Sequence, residues 1–173
     1  MIFLLASALG SAADSGAGLR WNPPGNWKSE AQRPMRLATY SIPHAAGDAE
    51  GGECGVYYFG PGQGGSVQAN LDRWIGQFLQ AGGKSSKSAA KIESRSVHGL
   101  KITTVDVSGA YSGMGGPMAQ PGKPMPGYRL LGAIVEGAQG SQGSVFFKFT
   151  GPAKTVAQNQ TGFSQMLDSL SPQ

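Results

Sequence analysis

The chain has 173 residues, of which 14% are charged and 28 are glycine, and its formal net charge is +4. That length predicts one domain whose core needs no metal or disulfide staple, and a hydrophobic content of 39% excludes global disorder. The single cysteine, Cys54, excludes an intrachain disulfide and reads as a buried small hydrophobe.

Residues 1–13, MIFLLASALGSAA, form a short apolar run that ends in small side chains. The run reads as a secretory signal cleaved near Ala13, although no Lys or Arg precedes it. It is far too short to span a bilayer, so the expectation is an exported protein, periplasmic or extracellular, with no transmembrane anchor. Residues 14–19 read as a flexible linker and 20–171 as a single domain. Trp21 and Trp27 flank Pro23-Pro24-Gly25, which predicts an edge segment or turn between two aromatic anchors. MRLATYSI (35–42) alternates like a strand and stops at Pro43; HAAGDAEGGE (44–53) reads as a loop and CGVYYFG (54–60) as a strand.

The spacing of Val67, Leu71, Trp74, Ile75, Phe78 and Leu79 predicts one amphipathic helix over 66–80, capped by Ser66 and stopped at Gly82-Gly83. A Lys/Ser connector follows, and 91–112 reads as a hairpin turning at His98-Gly99. Lys84, Lys87, Lys91 and Arg95 make the densest basic stretch, but without interleaved aromatics they predict a solvated face and no nucleic-acid surface. The Gly/Pro/Met-rich segment 112–127 reads as a long loop. YRLLGAIVEG (128–137) and GSVFFKFTG (143–151) read as strong strands, and residues 152–170 as a closing helix with Pro152 near its first turn.

Gly60, Gly62 and Gly65 fit G-x-G-x-x-G between a strand and a helix. A dinucleotide site also needs a second parallel strand and an acidic residue about 20 positions on. Here the next strand candidate, KIESRSV, is polar and alternating, and no acidic residue falls between Asp72 and Glu93. The Walker pattern fails because no Lys follows Gly65. The run therefore reads as a tight turn, and neither a nucleotide nor any other cofactor is expected.

Trp21 and Trp27 around Pro-Pro-Gly, Met35 to Tyr40, Gly64-Gly65 with Asn70 and Arg73-Trp74, and Lys148 to Pro152 leading into Phe163, Leu167 and Ser169-Leu170 resemble a group of exported bacterial proteins without an assigned activity. The element order is similar to the PsbP-like fold, found in photosystem II accessory proteins and in some protein-binding relatives. That resemblance implies an α+β fold: an antiparallel β-sheet of about six strands covered by two main helices, a PsbP-like α/β/α sandwich. It favours a binding or assembly role over catalysis and carries over no catalytic or metal motif.

The candidate partner-binding residues are Trp21, Trp27, Asn70 and Arg73, the aromatic and Arg composition of interface hot spots. Met114, Met118 and Met125 are soft thioethers that suit Cu(I), with His44 or His98 as a contributor. Asp48, Glu50 and Glu53 read as a solvated acidic turn, and the sequon at Asn159 as coincidental. No nucleophile elbow or zinc spacing is present. The sequence thus predicts a non-catalytic exported binding or assembly module, recognising a protein or cell-envelope partner through the Trp-bearing segment and loop 112–127. The alternative is a periplasmic copper-binding protein using the methionines.

Overall fold

A computed structural model describes residues 13–113, 124–137 and 143–173. The strands are β1 (Asp14–Gly16), β2 (Leu19–Trp21), β3 (Lys28–Ser29), β4 (Arg36–Ile42), β5 (Gly52–Tyr58), β6 (Phe78–Gln80), β7 (Lys84–Ser85), β8 (Lys91–Val97), β9 (Leu100–Tyr111), β10 (Met125–Glu136), β11 (Val145–Pro152) and β12 (Ser171–Pro172). The helices are α1 (Val67–Ile75) and α2 (Ala153–Asp168). Nine strands form one sheet in the order β3-β4-β5-β11-β10-β9-β6-β7, with β8 also on β9; β1, β2 and β12 form a second, three-stranded sheet. Every pairing among the described residues is antiparallel.

The expected sheet of about six strands under two main helices is therefore corrected to a nine-stranded sheet beside a three-stranded one. β1, β2, β3, β6, β7 and β12 are only two or three residues long. Alternation over so few residues leaves no periodic signal. Residues 14–19, expected as a linker, supply β1 and begin β2. Segment 112–127 is shorter than expected, because Met125 already pairs with Tyr111. The long helix expected over 66–80 ends at Ile75. Phe78 and Leu79 leave its stripe to pair with Tyr111 and Ala110 of β9.

The sheet is apolar on both faces. On β10, Leu131, Ala133 and Val135 join the cluster that contains Val156, Phe163, Met166 and Leu167 of α2. Leu130 and Ile134 join the cluster of Leu71, Trp74 and Ile75 of α1. Pleating sends alternate side chains to opposite faces, so each helix seals its own side. Gly132 lets α1 sit close: a Cβ there would lie 2.6 Å from the Trp74 ring. Trp21 and Trp27 close the α2 side, edge-on to Phe147 and Phe149 with centroids 5.5 and 5.1 Å apart.

The cap of α2 comes from far along the chain. Its N-cap, Pro152, makes no side-chain cap bond. Asp48 replaces that cap: one carboxylate oxygen accepts from Thr155 N at 3.0 Å and from Thr155 Oγ1 at 2.6 Å. A carboxylate at this helix end satisfies an orphan amide and complements the helix dipole. Asp48→Ala is expected to cost about 1–2 kcal/mol in urea unfolding, with Asp48→Asn keeping part of the loss. An unchanged unfolding midpoint for Asp48→Ala would mean that the cap contributes nothing.

Candidate functional site

Lysine 148 sits alone in the apolar run of β11, VFFKFTG. Its neighbours Phe147 and Phe149 point into the α2 side. Alternation turns Lys148 to the α1 side, where it is only 7% exposed. There Nζ donates to Gln77 Oε1 at 2.7 Å and lies 5.8 Å from the centre of the Tyr111 ring. Gln77 is the residue at which the expected helix fails. Its side chain holds Lys148, and its carbonyl accepts from Ser112 N at 2.9 Å, which ties the exit of α1 to the end of β9.

Two recesses meet at Lys148 and Tyr57. One is a polar cleft of about 300 Å³ walled by Arg36, Glu53, Tyr111, Tyr128 and the Gly51-Gly52 backbone. The other, of about 230 Å³, is walled by Phe59, Trp74, Phe146 and Arg73. The rings of Tyr111 and Tyr128 stack at 5.8 Å and 10°, and the Arg36 guanidinium lies 4.9 Å from the centre of Tyr57. Arg36 also binds Glu53 at 2.6 Å, and Arg33 holds the other oxygen of that carboxylate at 3.0 Å.

Burial lowers the Lys148 pKa to about 8, with repulsion from Arg73 and Arg36 adding to it and Glu53 opposing it. Burial also raises the phenols of Tyr57 and Tyr111, and it raises Tyr128 to about 12, helped by the bond to Glu50. At neutral pH the tyrosines are therefore protonated hydrogen-bond donors. The lysine is an ammonium whose partner is a neutral amide, a costly arrangement for a buried charge.

Of the residues singled out from the sequence, Arg73 lines the aromatic recess and Asn70, buried beside it, is bonded to it. Asn70 Nδ2 donates to Gly64 O at 2.7 Å and Ser66 O at 2.9 Å, and its Oδ1 accepts from Arg73. Asn70 thus ties the glycine turn to α1 and orients the Arg73 guanidinium. Trp21 and Trp27 are not with them: they are 1% and 7% exposed, on the α2 side. Their indoles donate to Tyr40 OH at 2.8 Å and Asn159 Oδ1 at 3.2 Å. Asn159, the sequon residue, is itself buried.

Met114 and Met118 lie outside the described residues, and Met125 is an exposed strand residue. His98 Nδ1 lies 2.8 Å from Leu170 O, and His44 Nδ1 lies 3.2 Å from Ala45 O. No group of three or more His, Cys, Asp or Glu among the described residues is placed to hold a metal. The acidic turn is dispersed: Asp48 caps α2, Glu50 accepts from Tyr128 and Glu53 pairs with arginines. The glycine run leads into α1, but β6 lies beyond β11, β10 and β9 from β5, so the adjacent parallel pair of a dinucleotide site is not formed.

The sequence reading missed Lys148, Tyr57, Tyr111, Tyr128 and Arg36 as site residues, and read Glu53 as part of a solvated acidic turn. A signal for Lys148 was present, since one lysine inside a strand buried on both faces calls for a partner. The partners come from β4, β5, α1, β9 and β10 and have no shared local pattern.

Lys148 gives the folded protein a pH signature. Its folded pKa lies below the unfolded value of 10.5, so between about 8 and 10.5 the unfolded chain binds more protons and stability rises with pH. The raised tyrosines act in the opposite sense, mainly above their ordinary value of 10.0. From about pH 7.5 to about pH 9.5 the wild type is expected to gain on the order of 1–3 kcal/mol relative to Lys148→Met, read from urea unfolding at each pH. Parallel stability curves for the two proteins would contradict the buried ammonium.

No protein-family model matches the sequence, and no curated protein matches it. Among solved structures, the solution structure of cyanobacterial PsbP (CyanoP) from Synechocystis sp. PCC 6803 is similar over 100% of this chain and 99% of that one, with a TM-score of 0.53 at 10% identity. A crystal structure from Bacteroides thetaiotaomicron aligns over 92% of this chain and 47% of that one, with a TM-score of 0.44 and 10% identity. The similarity to the cyanobacterial protein shows that this chain has a PsbP-like fold.

Proposed function

We propose that this chain is a non-catalytic, exported binding or assembly module, and that its recognition site is the cleft around Lys148. The observation that carries the reading is the convergence of Arg36, Arg73 and three tyrosines on two adjoining recesses that share Lys148 and Tyr57. A cleft with an apolar wall and a few fixed polar groups is the usual form of a binding site. The ionisation states favour binding over catalysis. Phenols held protonated donate hydrogen bonds but are poor bases, and the ammonium is bonded to an amide instead of a group that would take its proton. Export rests on the apolar run of residues 1–13. The cleft takes the place of the Trp-bearing segment as the recognition surface, because Trp21 and Trp27 are committed to the core.

A photo-crosslinking phenylalanine derivative placed at Tyr128, on the cleft, and separately at Arg95, which pairs with Asp168 of α2, tests the reading in the cells that make the protein. A discrete adduct from position 128, lost on Arg73→Glu and missing from position 95, is expected. The same adducts from both positions, or none from 128, would contradict it.

A further inference from the structure

The ammonium of Lys148 has three N–H donors, and Gln77 Oε1 accepts from it. No carboxylate among the described residues pairs with it, and Glu53 is engaged by Arg36 and Arg33. Lys148, Arg36 and Arg73 therefore leave the cleft with excess positive charge, concentrated where the aromatic recess of Phe59, Trp74 and Phe146 opens onto it. The charge calls for one anionic group, and the recess beside it offers space for a flat apolar body.

We propose that this cleft binds a small aryl or arylalkyl carboxylate, with the carboxylate at the Lys148 ammonium and the ring in the Phe59–Trp74–Phe146 recess. The proposal rests on the reading of the cleft as the binding site and names its ligand class. The carboxylate supplies the countercharge that the fold omits, in a partly desolvated place where a charge-assisted hydrogen bond is strong. A neutral isostere gains the ring contacts alone, and an ammonium is repelled. The recess and the cleft match a ligand of one ring and one carboxylate better than a polyanion, whose further charges would meet Glu53 and the aromatic wall.

Binding is also linked to a proton. The groups facing Lys148 are Arg36 from β4, Glu53 and Tyr57 from β5, Arg73 from α1, Gln77, Tyr111 from β9 and Tyr128 from β10. Arginine charge is fixed, and the three phenols are held protonated above their ordinary range. Lys148 is the cleft group that changes charge near pH 8, and an adjacent carboxylate returns its proton.

The test uses the full chain, with benzoate and phenylacetate as probes and benzamide and benzylamine as controls. Amide shifts in NMR locate the site, and calorimetry at about pH 8.5 in two buffers of different ionisation enthalpy reads the proton. Expected are shifts at Tyr57, Phe59 and Lys148, at least ~10-fold weaker binding of benzamide, and proton uptake with benzoate. Lys148→Met, with its melting temperature checked, should abolish the preference for benzoate over benzamide. Arg73→Gln, a change at an exposed position, should weaken benzoate by several-fold and leave the fold intact. Equal affinity for benzoate and benzamide, shifts that map to the α2 side, or benzoate binding unchanged in Lys148→Met would overturn the proposal. If no aryl carboxylate binds while the crosslink at position 128 persists, the ligand class falls and the binding-module reading stands. Carboxylate binding without any crosslinked adduct upholds the ligand class and removes the partner.

Discussion

The ammonium of Lys148, held in the interior of the sheet by one amide and facing two guanidinium groups, sets the character of the whole α1 face. A charge in that position is expensive, and the surroundings limit the cost without removing it. Gln77, which holds it, lies just past the end of α1 at Ile75 and immediately before β6. Glu53, the nearby carboxylate, is taken by arginines. Among the described residues no carboxylate pairs with the ammonium, and the proposed carboxylate ligand would supply that countercharge.

The cleft exists because the two helices cover unequal areas. α1 has nine residues and α2 has sixteen. A nine-residue helix is ~14 Å long and ~10 Å across, while strands lie ~4.8 Å apart, so α1 shields at most about three strands of the broad sheet. On the other side, α2 is joined by the N-terminal segment, where Trp21 and Trp27 fill the gaps beside Phe147 and Phe149. Among the described residues no such segment lies over β4 and β5 on the α1 side, and the surface there is faced with tyrosine and arginine, side chains that tolerate both water and apolar contact.

The long strands were legible because β4 and the β8–β9 hairpin alternate apolar and polar residues over seven or more positions, and β5 is a run rich in strand-forming residues. The two- and three-residue strands were not, since they exist only by pairing with distant chain. The helix α1 was placed correctly at its Ser66 cap, whose Oγ accepts from Ala69 N at 3.2 Å, but not at its end. Phe78 and Leu79 continue a helical stripe in sequence, and tertiary pairing with β9 overrides it. Asn70 and Arg73 were legible as an i, i+3 pair on one helix, and the two side chains do meet. The tyrosines and Lys148 were not, because their juxtaposition depends on strand order, which no local pattern encodes.

The most direct measurement is the titration of the Lys148 side chain itself, by following its ¹³Cε resonance in protein labelled at lysine. The account predicts a midpoint near 8 in the free protein. A midpoint near the ordinary 10.5 would show an ammonium that is already solvated or paired, and would contradict the charge-starved cleft on which the proposed binding site rests.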